Sequence, residues 1–208
     1  MIVKICGLRS LTAAQTAAQA GTDWIGFVFA SSRRRIDPAS AALISTSMVG
    51  PVKVGVFVNQ PLNEVREIAD LCRLDYIQLH GEESPDYSRS LNRPVIRACR
   101  VDSAFDPEQW AAYPADYLLF DTFVPGQAGG TGTAFDWREA CSRIRQSRQK
   151  FLVAGGLTPE NVADAIRILN PDGVDVSGGV ETAGVKDPDK IRRFIAAART
   201  AAERMQSC

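Results

Sequence analysis

The sequence has few of the residues that build metal sites and disulfide scaffolds. Its 208 residues include one histidine, His80, and five cysteines that are scattered with no C-x-x-C pair. One histidine argues against the metal sites with several ligands that are common in phosphosugar epimerases. Scattered cysteines favour reduced thiols in a cytosolic protein. We therefore expect a cytoplasmic protein without a bound metal.

Net charge and long apolar runs are also lacking. Lysine plus arginine equals aspartate plus glutamate at 24 each, so no overall field attracts nucleic acid or an anionic membrane. The N-terminal apolar stretch is too short for a signal peptide, and no run is long enough to span a bilayer. The sequence predicts neither a nucleic-acid partner nor a membrane partner, and any anionic ligand must be held locally.

Apolar runs alternate with helical patterns along the whole chain, which indicates a parallel sheet with crossover helices. Residues 1–208 are predicted to form a single α/β domain, a (βα)8 TIM barrel. An open doubly wound sheet usually has fewer strands and a G-x-G-x-x-G after the first, which Gly7 and its neighbours do not supply. The predicted strands are 2–6, 24–29, 52–58, 75–80, 94–98, 116–121, 151–154 and 173–177. Helix starts are predicted at Asp37-Pro38, Ser84-Pro85, Asp106-Pro107, Thr158-Pro159 and Asp187-Pro188.

An internal repeat aligns the even-numbered strands. Each begins with aspartate, then an aromatic residue or glycine, then an apolar residue, at Asp23, Asp75, Asp116 and Asp172. Five residues after each aspartate lie Val28, His80, Asp121 and Ser177, at strand C-termini, where such barrels place their active sites. Strand alternation puts Gln78 and Asp175 on the inward face as well.

Three glycine pairs follow apolar runs in the last part of the chain, at residues 129–130, 155–156 and 178–179. Glycines at strand ends let the bare backbone approach an anion, and a following helix directs N–H groups toward it. The pattern predicts a phosphate site like the one that α/β barrels build from their last two βα loops. The alternative is that glycine pairs only make tight turns.

Several side chains at the predicted mouth could do chemistry. Cys6 shares a strand face with Lys4, and an ammonium group helps a thiol to ionise; the alternative is a small buried hydrophobic residue. Asp121 ends a run of four apolar residues, which favours a functional carboxylate. His80 is either functional or a hydrogen-bonded strand end. The run Arg33-Arg34-Arg35 is either a solvated face or the source of a guanidinium that holds a carboxylate or phosphate.

Seven motifs in order complete the pattern. They are Lys4-Ile5-Cys6-Gly7, Gly26-Phe27-Val28-Phe29 with Ser32-x-Arg34-x-Ile36, Val54-Gly55-Val56-Phe57-Val58, Gln78-Leu79-His80-Gly81, Asp121 with Gly129-Gly130-Thr131-Gly132-x-x-Phe135-Asp136-Trp137, Ala154-Gly155-Gly156-Leu157, and Val174-Asp175-Val176-Ser177-Gly178-Gly179-Val180-Glu181. Together they resemble the phosphoribosylanthranilate isomerase family over nearly the whole chain. Arg35 departs from the family, which often has an aromatic residue or histidine there.

The resemblance implies a (βα)8 enzyme of tryptophan biosynthesis that rearranges N-(5-phosphoribosyl)anthranilate to its 1-deoxyribulose isomer without a metal or organic cofactor. It implies that Cys6 is the general base, Asp121 the general acid and Arg34 the holder of the anthranilate carboxylate. We expect His80 and Asp175 to contact the phosphoribosyl substrate, and no obligate protein partner is evident. The residues expected at the phosphate are Gly130, Gly155, Gly156, Ser177, Gly178 and Gly179.

One acid and one base suffice for this rearrangement. Asp121 must then start protonated, which requires a raised pKa, and Cys6 must start as a thiolate, which requires a lowered one. Indole-glycerol-phosphate synthase, an alternative on the same barrel, would present a catalytic lysine with glutamates at strand ends. A non-catalytic phosphoribosyl-binding module would have no need for both Cys6 and Asp121.

Overall fold

The computed structural model describes residues 1–100, 106–121, 142 and 144–206. Eight parallel strands form a closed barrel in which each strand pairs with its neighbours in sequence and the last pairs with the first. This confirms the predicted (βα)8 barrel, with strand bounds within two residues of those expected. The strands are β1 Ile2–Cys6, β2 Trp24–Val28, β3 Val52–Phe57, β4 Tyr76–Leu79, β5 Val95–Arg100, β6 Tyr117–Asp121, β7 Phe151–Ala154 and β8 Gly173–Val176.

The helices whose bounds lie within the described residues are α1 Leu11–Gln19, α2 Pro38–Ser47, α3 Leu62–Leu71, α4 Pro85–Arg89, α5 Pro107–Ala111, α6 Val162–Leu169 and α7 Pro188–Gln206. A 3₁₀ turn, Gly178–Val180, and a short hairpin, β9 Glu181–Thr182 with β10 Val185–Lys186, lie between β8 and α7. Most of the connection from β6 to β7, including Gly130 and its glycine run, lies outside the described residues. None of the described helices combines the length and the apolar character that crossing a membrane requires.

Four of the five predicted helix starts are confirmed. The side chains of Asp37, Ser84, Asp106 and Asp187 each accept a backbone N–H from the first turn of the helix that follows. The start at Thr158-Pro159 is wrong, because α6 begins at Val162. There the Asn161 amide accepts from Thr158 N at 2.8 Å and donates to Gly156 O at 3.0 Å. These bonds keep the chain in a turn for three further residues.

The aspartate repeat joins the strands in pairs. Each aspartate before an even-numbered strand donates its backbone N–H to the carbonyl of a residue near the start of the preceding strand and accepts that residue's N–H through its carboxylate. The pairs are Asp23 with Val3, Asp75 with Lys53, Asp116 with Val95 and Asp172 with Phe151, with carboxylate distances of 2.7–2.8 Å. Because a one-residue slip would turn every side chain to the opposite face, these bonds fix which residues point inward.

Two apolar cores lie on the two faces of the barrel wall. The larger core packs the outward side chains of the strands against the helices, and the smaller one fills the barrel interior. At the N-terminal end of the interior, Trp24 stacks on Tyr76 with ring centroids 4.8 Å apart and meets Tyr117 edge-on at 5.4 Å. These aromatic rings pack that end of the interior, while polar residues gather toward the C-terminal end.

Candidate active site

The predicted polar residues meet at the C-terminal mouth of the barrel. Cys6 ends β1, Asp121 ends β6, His80 directly follows β4, and Ser177 directly follows β8. Asp175 lies inside β8, paired in register with Lys4 of β1. Ile2 packs in the interior core, so strand alternation directs Lys4 and Cys6 inward too. The structure therefore brings together the side chains that the sequence assigned to the mouth.

The thiol of Cys6 lies in a space that Gly26 leaves open. Cys6 is only 6% exposed, and a Cβ at Gly26 would lie 2.7 Å from its sulfur. Burial raises the pKa of the Cys6 thiol, and the nearby ammonium groups of Lys4 and Lys186 offset this only in part. The lowered pKa expected from the sequence is therefore wrong for the free protein. The expectation counted the neighbouring lysine but not the loss of solvent around the sulfur.

Lys4 joins three polar residues inside the barrel. Its fully buried ammonium donates to Gln78 Oε1 at 2.8 Å and pairs with Asp175 Oδ1 at 3.1 Å. Burial alone would lower the pKa of Lys4, but Asp175 and then Cys6 more than offset it, so the pKa is raised and Lys4 stays charged. Asp175 Oδ1 is itself buried, and its 3.1 Å contact with the Lys4 ammonium is the ion pair that holds the two groups together.

His80 lies between this buried group and Asp121. Its Nδ1 is 3.2 Å from Gln78 Nε2, and its Nε2 is 3.7 Å from Asp121 Oδ2. Burial lowers the pKa of His80, although the carboxylates of Asp121 and Asp175 act in the opposite direction. A lowered histidine pKa means a neutral imidazole at neutral pH. The side chains of His80 and Asp121 are 35% and 27% exposed, so both remain accessible to a ligand at the mouth.

Arg34 is the most constrained of the three adjacent arginines. Its guanidinium donates to both oxygens of Glu181, from Nε at 2.6 Å and from Nη2 at 2.9 Å. Arg33 makes only a 3.5 Å contact with Glu181 and has a side chain that is 69% exposed, and Arg35 is exposed. The Arg35 side chain, at the position that differs from the family, thus faces outward. The backbone of Arg35 still forms a β-bridge with Val28 of β2. Of the three arginines, the one at the motif position, Arg34, is the one that the structure holds in a fixed orientation.

Lys186 also stabilises Glu181, at the oxygen that accepts from Arg34 Nε. Its ammonium donates to Glu181 Oε1 at 2.9 Å and to the Ser177 carbonyl at 2.8 Å. Burial opposes ionisation of Glu181, but the hydrogen bonds from Arg34 and Lys186 outweigh it and lower the pKa of Glu181 to about 2. Glu181 is therefore an anion that holds Arg34 in one orientation.

The last two strand-end loops, residues 155–156 and 177–179, form what we call the phosphate loops. Gly155 and Gly156 have φ values of +86° and +63°, which favour glycine. A Cβ at Gly179 would lie 1.8 Å from the Leu157 carbonyl oxygen, so the two loops are in direct contact. The Ser177 hydroxyl donates to the Cys6 carbonyl at 3.0 Å, which links these loops to β1. Five of the six predicted phosphate residues thus lie together, and Gly130 lies outside the described residues.

A cavity of about 680 Å³ opens beside His80 and contains a second buried cation, Arg97. The Arg97 guanidinium donates to Glu83 Oε2 at 2.6 Å and to Gly81 O at 2.7 Å. Its Cζ lies 5.3 Å from the centre of the Trp110 ring and 5.2 Å from that of Tyr113. Both arginines are paired with a glutamate, but the Arg97 side chain is 6% exposed and lies against two rings, whereas that of Arg34 is 21% exposed, so Arg34 is the more accessible anion receptor.

Sequence reasoning missed the parts played by Gln78, Glu181, Lys186 and Gly26. Strand alternation placed Gln78 inward but did not show that it joins Lys4 to His80. Glu181 ended a motif, but its contact with Arg34 and that of Lys186 with Glu181 depend on the β9–β10 hairpin, which the sequence did not predict. Gly26 stood within a motif, yet its steric role appears only when β2 is paired with β1. Among the described residues, no group of three or more His, Cys, Asp or Glu side chains is arranged to hold a metal ion.

Comparisons with known proteins agree with this geometry. A family model described as N-(5'phosphoribosyl)anthranilate (PRA) isomerase matches residues 3–197. The N-(5'-phosphoribosyl)anthranilate isomerase of Roseiflexus sp. (strain RS-1) is 48% identical, covering 97% of this chain and 99% of its own. The crystal structure of phosphoribosyl anthranilate isomerase from Thermotoga maritima has a TM-score of 0.85 at 38% identity, covering 96% of this chain and 100% of its own.

A further solved structure carries a bound ligand. It is a phosphoribosyl anthranilate isomerase in complex with reduced 1-(o-carboxyphenylamino)-1-deoxyribulose 5-phosphate. This chain is similar to it with a TM-score of 0.82 and 36% identity, covering 96% of this chain and 100% of that one.

Proposed function

Because the chain belongs to the N-(5'-phosphoribosyl)anthranilate isomerase family, we propose that it catalyses one aldose-to-ketose isomerisation of tryptophan biosynthesis. The substrate is N-(5-phosphoribosyl)anthranilate and the product is 1-(2-carboxyphenylamino)-1-deoxyribulose 5-phosphate. The reaction is an Amadori rearrangement by general acid and base catalysis. It needs no metal and no organic cofactor.

The observation that carries this proposal is the arrangement of Cys6 and Asp121. They end strands β1 and β6, which are separated on one side of the barrel by β7 and β8, and both open on one mouth. A sugar held between them meets a thiol on one side and a carboxyl on the other. A module that only binds a phosphoribosyl group has no use for this pair.

The two side chains divide the reaction between them. Asp121 gives a proton to the ribose ring oxygen while the C1–O bond breaks, which leaves an iminium ion between C1 and the anthranilate nitrogen. Cys6, as the thiolate, then removes the proton from C2, and the electron pair of that C–H bond moves to neutralise the iminium. The resulting enolamine becomes the ketone by gaining a proton at C1 and losing the hydroxyl proton at C2. Substrate and product are isomers, so no oxidant or reductant is needed.

In the free protein Cys6 is mainly a thiol, because burial raises its pKa, and the cycle begins from the minor form that carries the thiolate. The fraction of protein with a thiolate is small at neutral pH, and the charged ammonium groups of Lys4 and Lys186 stabilise that minor form. Base strength compensates in part, since a thiolate with a raised pKa takes up a proton more strongly.

Arg34 holds the anthranilate carboxylate in this proposal. An arginine carries five N–H donors, and Glu181 uses those on the Nε side of the guanidinium. The terminal edge, formed by the two Nη atoms, has the spacing that suits a second carboxylate. The phosphate is held by the backbone of the phosphate loops, and Asp175 accepts a hydroxyl of the sugar.

The experiment that tests the function follows the fluorescence of the anthranilate substrate. We expect the purified protein to consume it in the presence of EDTA. Cys6→Ala should lower kcat by about 10²-fold or more, because a positioned base contributes roughly 10²–10⁴. Cys72→Ala is the matched control, because Cys72 is also a buried thiol but lies at the end of α3, in the outer core.

The possible outcomes test the proposed function and the role of the Cys6 thiol separately. Wild-type protein that leaves the substrate unchanged would refute the proposed function. An active wild type with an equally active, folded Cys6→Ala variant would refute only the assignment of the base.

A further inference from the structure

The orientation of the Gln78 amide is determined by its neighbour. The Lys4 ammonium can only donate hydrogen bonds, so the Gln78 atom 2.8 Å from it must be the amide oxygen. The amide nitrogen of Gln78 then lies 3.2 Å from His80 Nδ1. Gln78 is 2% exposed and Lys4 is fully buried, so water does not compete for these contacts. The ion pair with Asp175 holds Lys4 in place from β8.

This orientation determines which nitrogen of His80 carries the proton. The Gln78 amide nitrogen is a donor, so His80 Nδ1 must accept and cannot itself carry a proton. A neutral imidazole has one N–H, and it must therefore be on Nε2. That atom is the one that faces Asp121 Oδ2, at 3.7 Å. Catalytic contacts that are long in a free enzyme commonly tighten when substrate binds.

We propose that Gln78 is a positioning residue that keeps His80 neutral with its proton on Nε2, so that His80 donates to Asp121 Oδ2 during catalysis. The inference rests on the proposed function, because it concerns the acid of that reaction. Because the carbonyl oxygen of a carboxyl group is a better acceptor than its hydroxyl oxygen, an N–H bond at Oδ2 favours the acid proton of Asp121 on Oδ1. After the transfer, the same N–H stabilises the Asp121 carboxylate.

The charged groups around His80 are compatible with a neutral ring. Asp121 on β6 and Asp175 on β8 favour a positive imidazole, while Lys4 on β1 and Arg97 on β5 disfavour it. Burial adds to the disfavouring side and the pKa is lowered. Protonation of Nδ1 would also set two N–H groups against each other at the Gln78 contact. Geometry and charge thus act in the same direction.

The chain offers a direct spectroscopic test because His80 is its one histidine. Protein without a histidine tag and with ¹⁵N-labelled histidine gives a single imidazole, and long-range ¹H–¹⁵N spectra identify the nitrogen that carries the proton. We expect the Nε2–H tautomer at neutral pH in the wild type. A proton on Nδ1, either as the other tautomer or as imidazolium, would overturn the inference without any variant.

The variant Gln78→Glu replaces the amide donor by an acceptor of nearly the same shape. It should draw a proton to Nδ1 and lower kcat by about tenfold or more with a smaller change in KM, because a misplaced imidazole proton mainly affects the chemical step. Gln15→Glu, at an exposed position on α1, is the control for the added charge. Gln78→Leu removes the contact without adding a charge, and we expect a mixture of tautomers and a similar fall in kcat.

Each outcome is decisive. A tautomer unchanged in both Gln78 variants, or a changed tautomer with wild-type kcat, would overturn the role of Gln78. Wild-type protein that converts no substrate would overturn the proposed function and with it the catalytic part of this inference. An active wild type with the proton on Nδ1 would overturn this inference alone.

Discussion

The carboxylate of Glu181 accepts two parallel hydrogen bonds from the guanidinium of Arg34, at 2.6 Å from Nε and 2.9 Å from Nη2. Glycine is required on two sides of this pair. A Cβ at Gly7 would lie 2.7 Å from Arg34 Cδ, and one at Gly178 would lie 2.9 Å from Arg34 Nη2. The arginine is thus fixed in orientation before any ligand arrives, which lowers the entropy cost of binding a carboxylate.

The first prediction concerns which arginine binds substrate. Arg34→Ala should lower kcat/KM by about tenfold to a hundredfold, since a charge-assisted hydrogen bond contributes roughly 1.5–3 kcal/mol. Arg34→Lys should also be impaired, because an ammonium cannot make paired hydrogen bonds. Arg33→Ala and Arg35→Ala should cost far less. Steady-state kinetics of the four variants at one ionic strength measure this.

A salt series provides the control for the arginine comparison. Exposed arginines also attract anionic substrate through a long-range field, which salt screens. The deficit of Arg34→Ala should persist at high salt. Equal losses in the three alanine variants that vanish with salt would contradict a specific contact at Arg34.

The second prediction is the pH dependence of the reaction. Burial raises the pKa of Cys6 above its usual value, so the thiol stays protonated to a higher pH and the thiolate appears only above it. The reaction needs the Cys6 thiolate and a protonated Asp121 in the same molecule, so kcat/KM follows the product of these two fractions and does not by itself report the thiol. Thiolate absorbance of the wild type minus that of Cys6→Ala reports the thiol directly, and it should rise only beyond the ordinary thiol value of about 8.5. A rise centred below the ordinary value would show that the ammonium groups outweigh burial.

The barrel could be predicted from sequence because its signals are local. Strands and helices were predicted from the periodicity of apolar residues, and helix starts from aspartate or serine before proline. Each of these patterns spans only a few residues. The start at Thr158-Pro159 failed because the Asn161 side chain binds the loop behind it, a contact that competes with helix capping. The aspartate repeat was visible as a pattern. The structural role of the repeat, two hydrogen bonds from each aspartate to the preceding strand, could be recognised only once the pairing of the strands was known.

The candidate site, too, could be predicted only where its signals are local in sequence. Cys6 and Asp121 could be placed at the mouth because strand ends determine the mouth. The contacts of Gln78 with Lys4 and His80 could not, because β1 and β4 are far apart in sequence and their side chains meet only across the closed barrel. The direction of the Cys6 pKa was wrong because burial depends on all the surrounding elements.

The third prediction uses the contact between Gly26 and Cys6. Gly26→Ala would place a methyl group 2.7 Å from the Cys6 sulfur and 3.1 Å from its Cα, so the thiol must move. We expect lower stability and a kcat reduced by about tenfold or more, since small displacements of a catalytic group are costly. In the Cys6→Ala background the same change should reduce kcat little further and destabilise less. Additive effects on kcat in the double variant would show that Gly26 does not act through the thiol.

The last prediction separates phosphate binding from folding at the phosphate loops. A Cβ at Gly156 meets open space, so Gly156→Ala strains only the backbone, at roughly 1–2 kcal/mol for a left-handed residue. Gly21 also has a positive φ and open space, at the other end of the barrel, and Gly21→Ala is the matched control. Both alanine variants should lower Tm by similar amounts. Only Gly156→Ala should raise KM and weaken competitive inhibition by inorganic phosphate, by about tenfold if one charge-assisted hydrogen bond is lost.

Gly179→Ala should behave differently from Gly156→Ala. Its Cβ would lie 1.8 Å from the Leu157 carbonyl oxygen, so the two phosphate loops must separate. This variant should lose both stability and phosphate affinity, and its defect alone cannot distinguish the two causes. The decisive comparison is therefore Gly156→Ala against Gly21→Ala at matched loss of Tm. If both weaken phosphate inhibition equally, or neither does, the phosphate is held elsewhere and the open face of Gly156 has no part in binding it.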